Sequence, residues 1–416
     1  MPEAYESNVI AKTSGYIAKE AIRGLAINSL LLAKADRQYS DEFGQKVGGA
    51  KVGDTIYARK PAIFVPTSSK ALDMQAFNET KIALKLDTLT GVHFDFDTTQ
   101  LTLDMDANGG DYTERTVTQA GIAIGSEVER LGFKKISEKA SNSIVLEKAA
   151  DETTFKRQIL NMNALLSLNL APTNDRTAVI TPDFEAAFVD KGVTLFHNKE
   201  EIDKGYLDGK ATRFGNFDLG SSALIYTRTN GAGGSTGVTV SAYTEGATTM
   251  RLAHASAIPA VAVGDKIQIT GCSLVNPQAK SVAYKNHAVQ RAVQAVTAVD
   301  ATHVDITIEP IYWTSAGTKN VDVTPVSKAI VFLGTAGKNY ACMPFFQKYG
   351  LTFGNADLYL PKNVEMGARE KAMDVSLRFI RDYRVGTDDL PTRLEILHFW
   401  ELLRPEWCGV IEIGLD

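Results

Sequence analysis

Residues 111–139, DYTERTVTQAGIAIGSEVERLGFKKISEK, are the most regular stretch of the chain. Val117, Gly121, Ile124, Val128, Leu131 and Lys135 recur at spacings of four, three, four, three and four, which predicts one face of an α-helix several turns long. Asp111 followed by Glu114 has the form of a capping box, and Lys134, Lys135 and Lys139 crowd the far end, so both ends complement the helix dipole. Gly121, Gly125 and Gly132 each cost roughly 1 kcal/mol of helix propensity relative to Ala. Three in one helix predict that something bulky packs closely against that side. The expectation is a long spine lying across a sheet.

A chain of 416 residues that is 44% hydrophobic can bury a large core and should divide into two or three domains. The net charge of −5 argues against a basic surface that coats nucleic acid, because phosphate binding needs clustered Lys and Arg. Cys272, Cys342 and Cys408 are too few and too far apart for a disulfide framework or a metal knuckle, and they suit a reducing compartment. The segment after Met1 lacks the charged-then-apolar pattern of a signal peptide, and no run reaches the roughly 18 apolar residues of a membrane span.

Before the spine, Val9, Ile10, Ile17, Ala21, Ile22, Leu25, Leu30 and Leu31 support an amphipathic helix between Tyr5 and Lys34, read as an arm more than a core. Val47 to Asp54 is turn-like. Thr55 to Val65 is β-branched and aromatic, with Pro61 and Pro66 confining it to an edge or a free ribbon. Lys81–Asp87 and Val92–Asp97 alternate strictly, placing Ile82, Leu84 and Leu86, then Val92, Phe94 and Phe96, on one side. They predict a long two-stranded ribbon with one sticky face. His93, Asp95 and Asp97 on the opposite face are metal-binding residue types, but alternation along one strand with no second His reads as a solvated face. Asp104, Asp106, Asn108 and Gly109 match the first half of an EF-hand loop; its twelfth position is Arg115 instead of a bidentate Glu, so the stretch reads as a turn feeding the spine.

After the spine, Phe155, Ile159, Met162, Leu165, Leu166 and Leu168 predict a second helix ended by Pro172. Arg176–Ile180 reads as a buried strand, and Thr181-Pro182 starts a short helix ended by Gly192. From Ser221 to about Gly337 the composition shifts to Gly, Ala, Thr, Val and Ser. Strands at Val238–Ala242, Thr249–Leu252, Lys266–Thr270, Val289–Val299 and His303–Glu309 predict a separate all-β module. Gly334-Thr335-Ala336-Gly337-Lys338-Asn339 has the wrong glycine spacing for a phosphate loop. Strands return at Ser376–Ile380, Arg393–Leu403 and Val410–Ile413. Trp400, Trp407 and Tyr383 could stack on sugars or bases, but as isolated aromatics they read as core or interface. There is no Gly-x-Ser-x-Gly elbow, His-Glu-x-x-His pair or Cys-x-x-Cys pair, so no catalytic, cofactor-binding or metal-ligating residue is assigned, no cofactor is expected, and the chain reads as a non-enzyme.

The element order resembles the tailed-phage major capsid fold of the Hong Kong 97 type, and most closely the coat proteins of the lederbergvirus group of short-tailed phages. Val263-Gly264-Asp265-Lys266-Ile267, Ala279-Lys280, Ala283, Asn286 and Asp300-Ala301-Thr302-His303-Val304-Asp305-Ile306-Thr307 resemble that family's inserted domain. Arg213 with Phe217-Asp218 resembles the junction before it, and Arg404-Pro405-Glu406 with Gly409-Val410 the closing strand. Between Val240 and Leu252 this sequence is compact where the family carries a longer loop reaching a neighbouring capsomer.

The resemblance implies an α+β capsid fold. Its parts would be an N-terminal arm helix (1–50), an extended loop (51–95), a peripheral domain with the spine helix (96–172 and 355–390), an axial domain (173–220, 338–354 and 391–416) and an inserted β-barrel-like domain (221–337). It further implies a major capsid protein of the virion that forms hexamers and pentamers in an icosahedral head. Such heads are assembled in the host cytoplasm with a scaffolding protein and a portal, and enclose double-stranded DNA without sequence-specific binding and without a membrane. Some capsids of this fold crosslink Lys to Asn with a catalytic Glu; Lys60, Lys70, Asn363 and Glu365 have suitable chemistry, but the lederbergvirus relatives hold together without covalent bonds. The rival readings are a β-rich phage surface or tail protein whose module 221–337 binds a glycan, and a calcium-dependent hydrolase using Asp104 and Asp106.

Overall fold

The computed structural model describes residues 14–27, 29–39, 46–47, 50–51, 55–60, 64, 80–95, 111–147, 152–186, 213–276, 287–314, 319–372 and 375–415. Helix α1 covers Ser14–Ile27, α2 Leu30–Lys34, α3 Asp111–Lys139 and α4 Glu152–Leu168. The 29 residues of α3 make the spine about 43 Å long. Val117, Ile124 and Val128 are buried as the periodicity predicts. Further along, the buried side turns towards Glu129, Gly132, Phe133 and Ile136, because the partner changes from α1 to α2 and the strand Thr392–Leu402.

The spine glycines explain this helix pair. A Cβ on Gly121 would lie 2.0 Å from the Ala21 carbonyl oxygen, one on Gly125 2.7 Å from that of Leu25, and one on Gly24 2.4 Å from that of Thr118. The group pressed against Gly121 and Gly125 is therefore the backbone of another helix and not a bulky side chain; only Gly132 meets side chains, those of Leu31 and Trp400. Contact this close places Cα–H groups against carbonyls and extends dispersion contacts along both helices. The first helix, read as an arm from sequence, lies in this core through Ile17, Ala18, Ala21, Ile22 and Leu25.

Two sheets flank the spine. The first is ordered Asn142–Leu146, Cys408–Gly414, Asn339–Gln347, Arg176–Ile180, Phe217–Ser221 and Arg213–Phe214, with Thr227–Thr229 also paired to Asn339–Gln347. Its three central strands, Cys408–Gly414, Asn339–Gln347 and Arg176–Ile180, are buried on both faces, as the sequence predicts for Arg176–Ile180. Cys342, Phe346 and Val410 face the spine core, whereas Met343, Phe345 and Ile411 face α4 through Phe155, Ile159 and Met162. Arg176 is buried beneath the end of α4, donating to the Ala171 and Pro172 carbonyls at 2.7 and 2.8 Å.

In the second sheet, Thr392–Leu402 pairs with Leu351–Ala356, Val375–Arg381 and Thr88–Phe94, and Met366–Ala372 pairs with Val375–Arg381. Here the structure departs from the sequence expectation of one ribbon spanning residues 81–97. Thr80–Lys85 pairs instead with Thr55–Lys60, while Val92 and Phe94 join the spine core. Each strand's apolar row finds a different cluster, so the alternation was read correctly and the pairing was not. Ile56, Ala58 and Leu84 are covered by Phe399 of the same chain, leaving Tyr57 on the other face 62% exposed.

The third sheet runs Ala288–Ala292, Lys266–Ser273, Ala329–Phe332, Val238–Tyr243, Thr249–Ala253, His303–Thr307 and Ala295–Ala298. Val289 and Ile306, on its first and sixth strands, share one core cluster, which requires the sheet to curl round on itself. The expected strand Val289–Val299 divides at Val293 and Gln294, whose amides donate to Asp265 and Thr307 and pass the chain from one edge of the sheet to the other.

The glycine crossing gives a direct prediction. Gly121→Ala gains about 1 kcal/mol of helix propensity but drives a methyl into the Ala21 carbonyl. Overpacking of this kind costs ~1–3 kcal/mol, so urea unfolding of the subunit should show a net loss of stability.

Candidate functional site: the junction of spine, central sheet and β-module

The turn Val263-Gly264-Asp265-Lys266 enters the third sheet with Gly264 at φ +92°, a left-handed position that suits glycine. It delivers two adjacent charged side chains into the interior, both 0% exposed. The Asp265 carboxylate accepts from the amides of Gly231, Ala232 and Ala262 at 3.0, 3.0 and 2.9 Å, and from Arg228 Nη1 at 3.1 Å. Arg228 also donates from Nε and Nη2 to the two carboxylate oxygens of Glu412, at 2.9 and 2.6 Å. Burial opposes the Arg228 charge, but the Glu412 and Asp265 carboxylates outweigh it and raise its pKa. Lys266 Nζ donates to the Ser137 carbonyl in the last turn of α3. It thereby satisfies a carbonyl the helix end leaves open and places a cation at the negative pole of the dipole. Burial pushes the Lys266 ammonium down to about 8, against the pull of Glu412.

One network thus ties the curled sheet to the central sheet through Arg228 and Glu412, and to the spine through Lys266. A second junction lies at residue 141. Lys60, at the end of the ribbon's first strand, sits 2.6 Å from Glu406. Glu309, two residues beyond the strand His303–Thr307, accepts from Ser141 and lies 3.7 Å from Arg291. Gln290 accepts from the Ser143 amide at 3.0 Å. Burial raises the Glu309 carboxyl; at Glu406 burial acts the same way, but Lys60 prevails and the pKa is lowered.

The spine carries a third buried charge. Glu129 is 0% exposed and accepts from the Leu31 amide, capping α2, while its second oxygen has no hydrogen-bond partner among the described residues. Burial pushes this carboxyl up to about 7, against the Leu31 and Leu32 amides that favour the charge.

The residues considered from sequence are dispersed. His93 pairs with Glu395 at 3.2 Å, Asp95 is exposed, and Asp97, Asp104, Asp106, Asn108 and Gly109 lie outside the described residues. Among the described residues no group of three or more His, Cys, Asp or Glu could hold a metal. Trp400 donates to the Val128 carbonyl inside the core, Trp407 donates to that of Asn169, and Tyr383 pairs with Asp388 in an exposed turn, so they form no common platform. Residues 334–338 form a tight turn with Gly334 and Gly337 at positive φ. Lys60 is engaged by Glu406 and Glu365 by Arg381; Asn363 is exposed, and Lys70 lies outside the described residues. Arg228, Glu412 and Glu129 were not singled out from sequence. A lone charge within an apolar strand, as in Val410-Ile411-Glu412-Ile413, was the available signal.

Residues 10–414 match the family described as P22 coat protein, gene protein 5. The chain belongs to the P22 coat protein family and is a major capsid protein, whose copies form the shell of an icosahedral head. A structure titled Mycobacterium phage Che8 is similar over 92% of this chain and 91% of that one, with 8% identity and a TM-score of 0.50, which speaks for the fold alone. The capsid structure of cyanophage P-SCSP1u gives 10% identity, coverage of 92% and 90%, and a TM-score of 0.48. That of Staphylococcus phage Andhra gives 9%, 99% and 88%, and 0.42. No curated protein matches the chain. No helix among the described residues is long and apolar enough to cross a membrane.

Two predictions follow from the buried charges. Arg228→Ala strands the Glu412 carboxylate, a loss of ~3–5 kcal/mol, read as a lowered thermal midpoint of the subunit. For Glu129 the folded pKa lies above the unfolded one, so its contribution is fully present below pH 4.5 and is lost as pH rises through about 7. Glu129→Gln keeps an acceptor for the Leu31 amide without the charge, so its stability relative to wild type should rise between pH 5 and pH 8, by on the order of 1–3 kcal/mol. Chemical denaturation at the two pH values measures the difference.

Proposed function

We propose that this coat protein has the Hong Kong 97-type arrangement, with segment 221–337 inserted as an all-β domain, and that it self-assembles as hexamers and pentamers. The remaining parts are an arm (1–50), an extended loop (51–95), a peripheral domain (96–172 and 355–390) and an axial domain (173–220, 338–354 and 391–416). The observation that carries this reading is the family match over residues 10–414. Support comes from the separate core cluster of the third sheet, and from the ribbon, whose Tyr57 and Phe64 are 62% and 57% exposed. Aromatic surface of this kind is suited to burial in an obligate interface, and weak contacts repeated many times suffice for a stable shell.

The head encloses double-stranded DNA without sequence-specific contacts, consistent with a net charge of −5. Assembly takes place in the host cytoplasm with a scaffolding protein and a portal. The protein is a building block and not an enzyme, and the shell is held without covalent crosslinks. Electron microscopy of the chain produced with the other head proteins of its phage should show closed shells of hexamers and pentamers. A denaturing gel of those particles should show only the 45.1 kDa band. Soluble monomers alone would reject the assembly reading, and a ladder of multiples would reject the non-covalent one.

A further inference from the structure

The short helix α2 lies between two buried carboxyl groups. At its start the Leu31 amide meets Glu129 of the spine, which keeps one oxygen without a hydrogen-bond partner among the described residues. Just past its end stands Asp36, also buried. One Asp36 oxygen accepts from the Gln38 amide at 3.3 Å; the other is buried and, among the described residues, has no hydrogen-bond partner. Burial raises the Asp36 carboxyl, against the Gln38 and Arg37 amides and the charge of Lys348. On Glu129 the amides of Leu31 and Leu32 favour the charge, and no charged side chain among the described residues does. The cations of the segment itself are engaged elsewhere: Lys34 pairs with Asp218 at 3.1 Å, and Arg37 Nε donates to the Leu32 carbonyl at 3.0 Å.

The segment has its own anchors. Leu31 and Leu32 are buried, Leu31 against Gly132, and the Asp36 amide and carbonyl pair with Leu351 and Phe353 at 3.0 and 2.9 Å. None of these contacts belongs to the crossing of α1 with α3, and a helix of five residues does not persist without its anchors. The segment can therefore open as a local unit while the crossing stays shut. A buried carboxylate with an unpaired oxygen is costly to keep charged, and water reaches it only if the segment lifts. We propose that residues 29–38 are a proton-operated strap, docked on the spine with Glu129 and Asp36 protonated and lifted when they ionise, while α1 and α3 stay together. Lifting frees the chain that leads from α1 towards the ribbon without unfolding the subunit. The use of that freedom in placing the ribbon on a neighbouring copy rests on the coat-protein reading; the proton linkage does not.

The test is amide hydrogen exchange on the free, full-length subunit at pH 6 and pH 8, corrected for the pH dependence of intrinsic exchange. The Ala33, Ala35 and Asp36 amides, which donate to Ser29, Leu31 and Leu351, report the strap, and those of Ala18–Leu25 report the crossing. Glu129 titrates at about 7 when docked and near 4.5 when released, so the opening constant of the strap should rise about tenfold between the two pH values. The α1 amides should not follow it. In Glu129→Gln with Asp36→Asn, which keep acceptors for the same amides, the rise should vanish. An opening constant that is the same at both pH values in wild type would overturn the strap. So would a rise that persists in full in the double variant, or one shared by the α1 amides. The measurement needs no assembled particle, so failure of the chain to form shells would reject the coat-protein reading and leave this result standing.

Discussion

The structure depends on two helix backbones touching. Where the Ala21 and Leu25 carbonyls of α1 lie against Gly121 and Gly125 of α3, no side chain larger than hydrogen fits. That contact fixes the distance between the helices, and the distance decides what can be built around them. Ala18, Ala21 and Ala120 fill the remaining space. The second sheet then closes on the pair through Val375, Leu377, Phe379, Leu394 and Ile396, all in the same cluster. A wider crossing would leave cavities beside these residues, and dispersion contacts are lost at gaps of less than an ångström.

Once set, the spine serves as a wall shared by parts far apart in sequence. Its second half receives Leu31 and Trp400 at Gly132, its Glu129 caps α2, and its last turn is closed by Lys266 from the curled sheet. Lys135 and Lys139 pair with Glu401, at 3.3 and 2.5 Å. Buried charges are an uneconomical way to gain stability, since apolar residues of equal volume serve as well or better. Their geometric demands are strict, however. Arg228 bonds to Glu412 of the central sheet and to Asp265 at the entry to the curled sheet at once, so it ties the placement of one sheet to the other.

Much of this was legible in the sequence, and the misses have physical causes. The spine's extent matches the residues quoted from it, because 29 residues of helical periodicity between marked ends leave little ambiguity. The strands of the third sheet were visible as alternation within a stretch of shifted composition, although the four-residue strand Ala329–Phe332 was too short to stand out. The partner of Thr80–Lys85 was misread because alternation reports a buried face and says nothing of the neighbour. The three glycines announced a close approach but not its chemistry, since a carbonyl and a bulky ring exclude a Cβ equally well. The junction charges stayed hidden because Asp265, Lys266 and Arg228 look like ordinary turn and surface residues until the fold brings them together.

Amide hydrogen exchange on the free subunit tests the central claim most directly, comparing Ala18–Leu25 of α1 with Thr118–Ser137 of α3. If the backbone contact makes the two helices one cooperative unit, both sets of amides exchange through the same opening, with the same free energy and the same denaturant dependence. An α1 that exchanges through a separate, lower-energy opening, while α3 stays protected, would contradict the account.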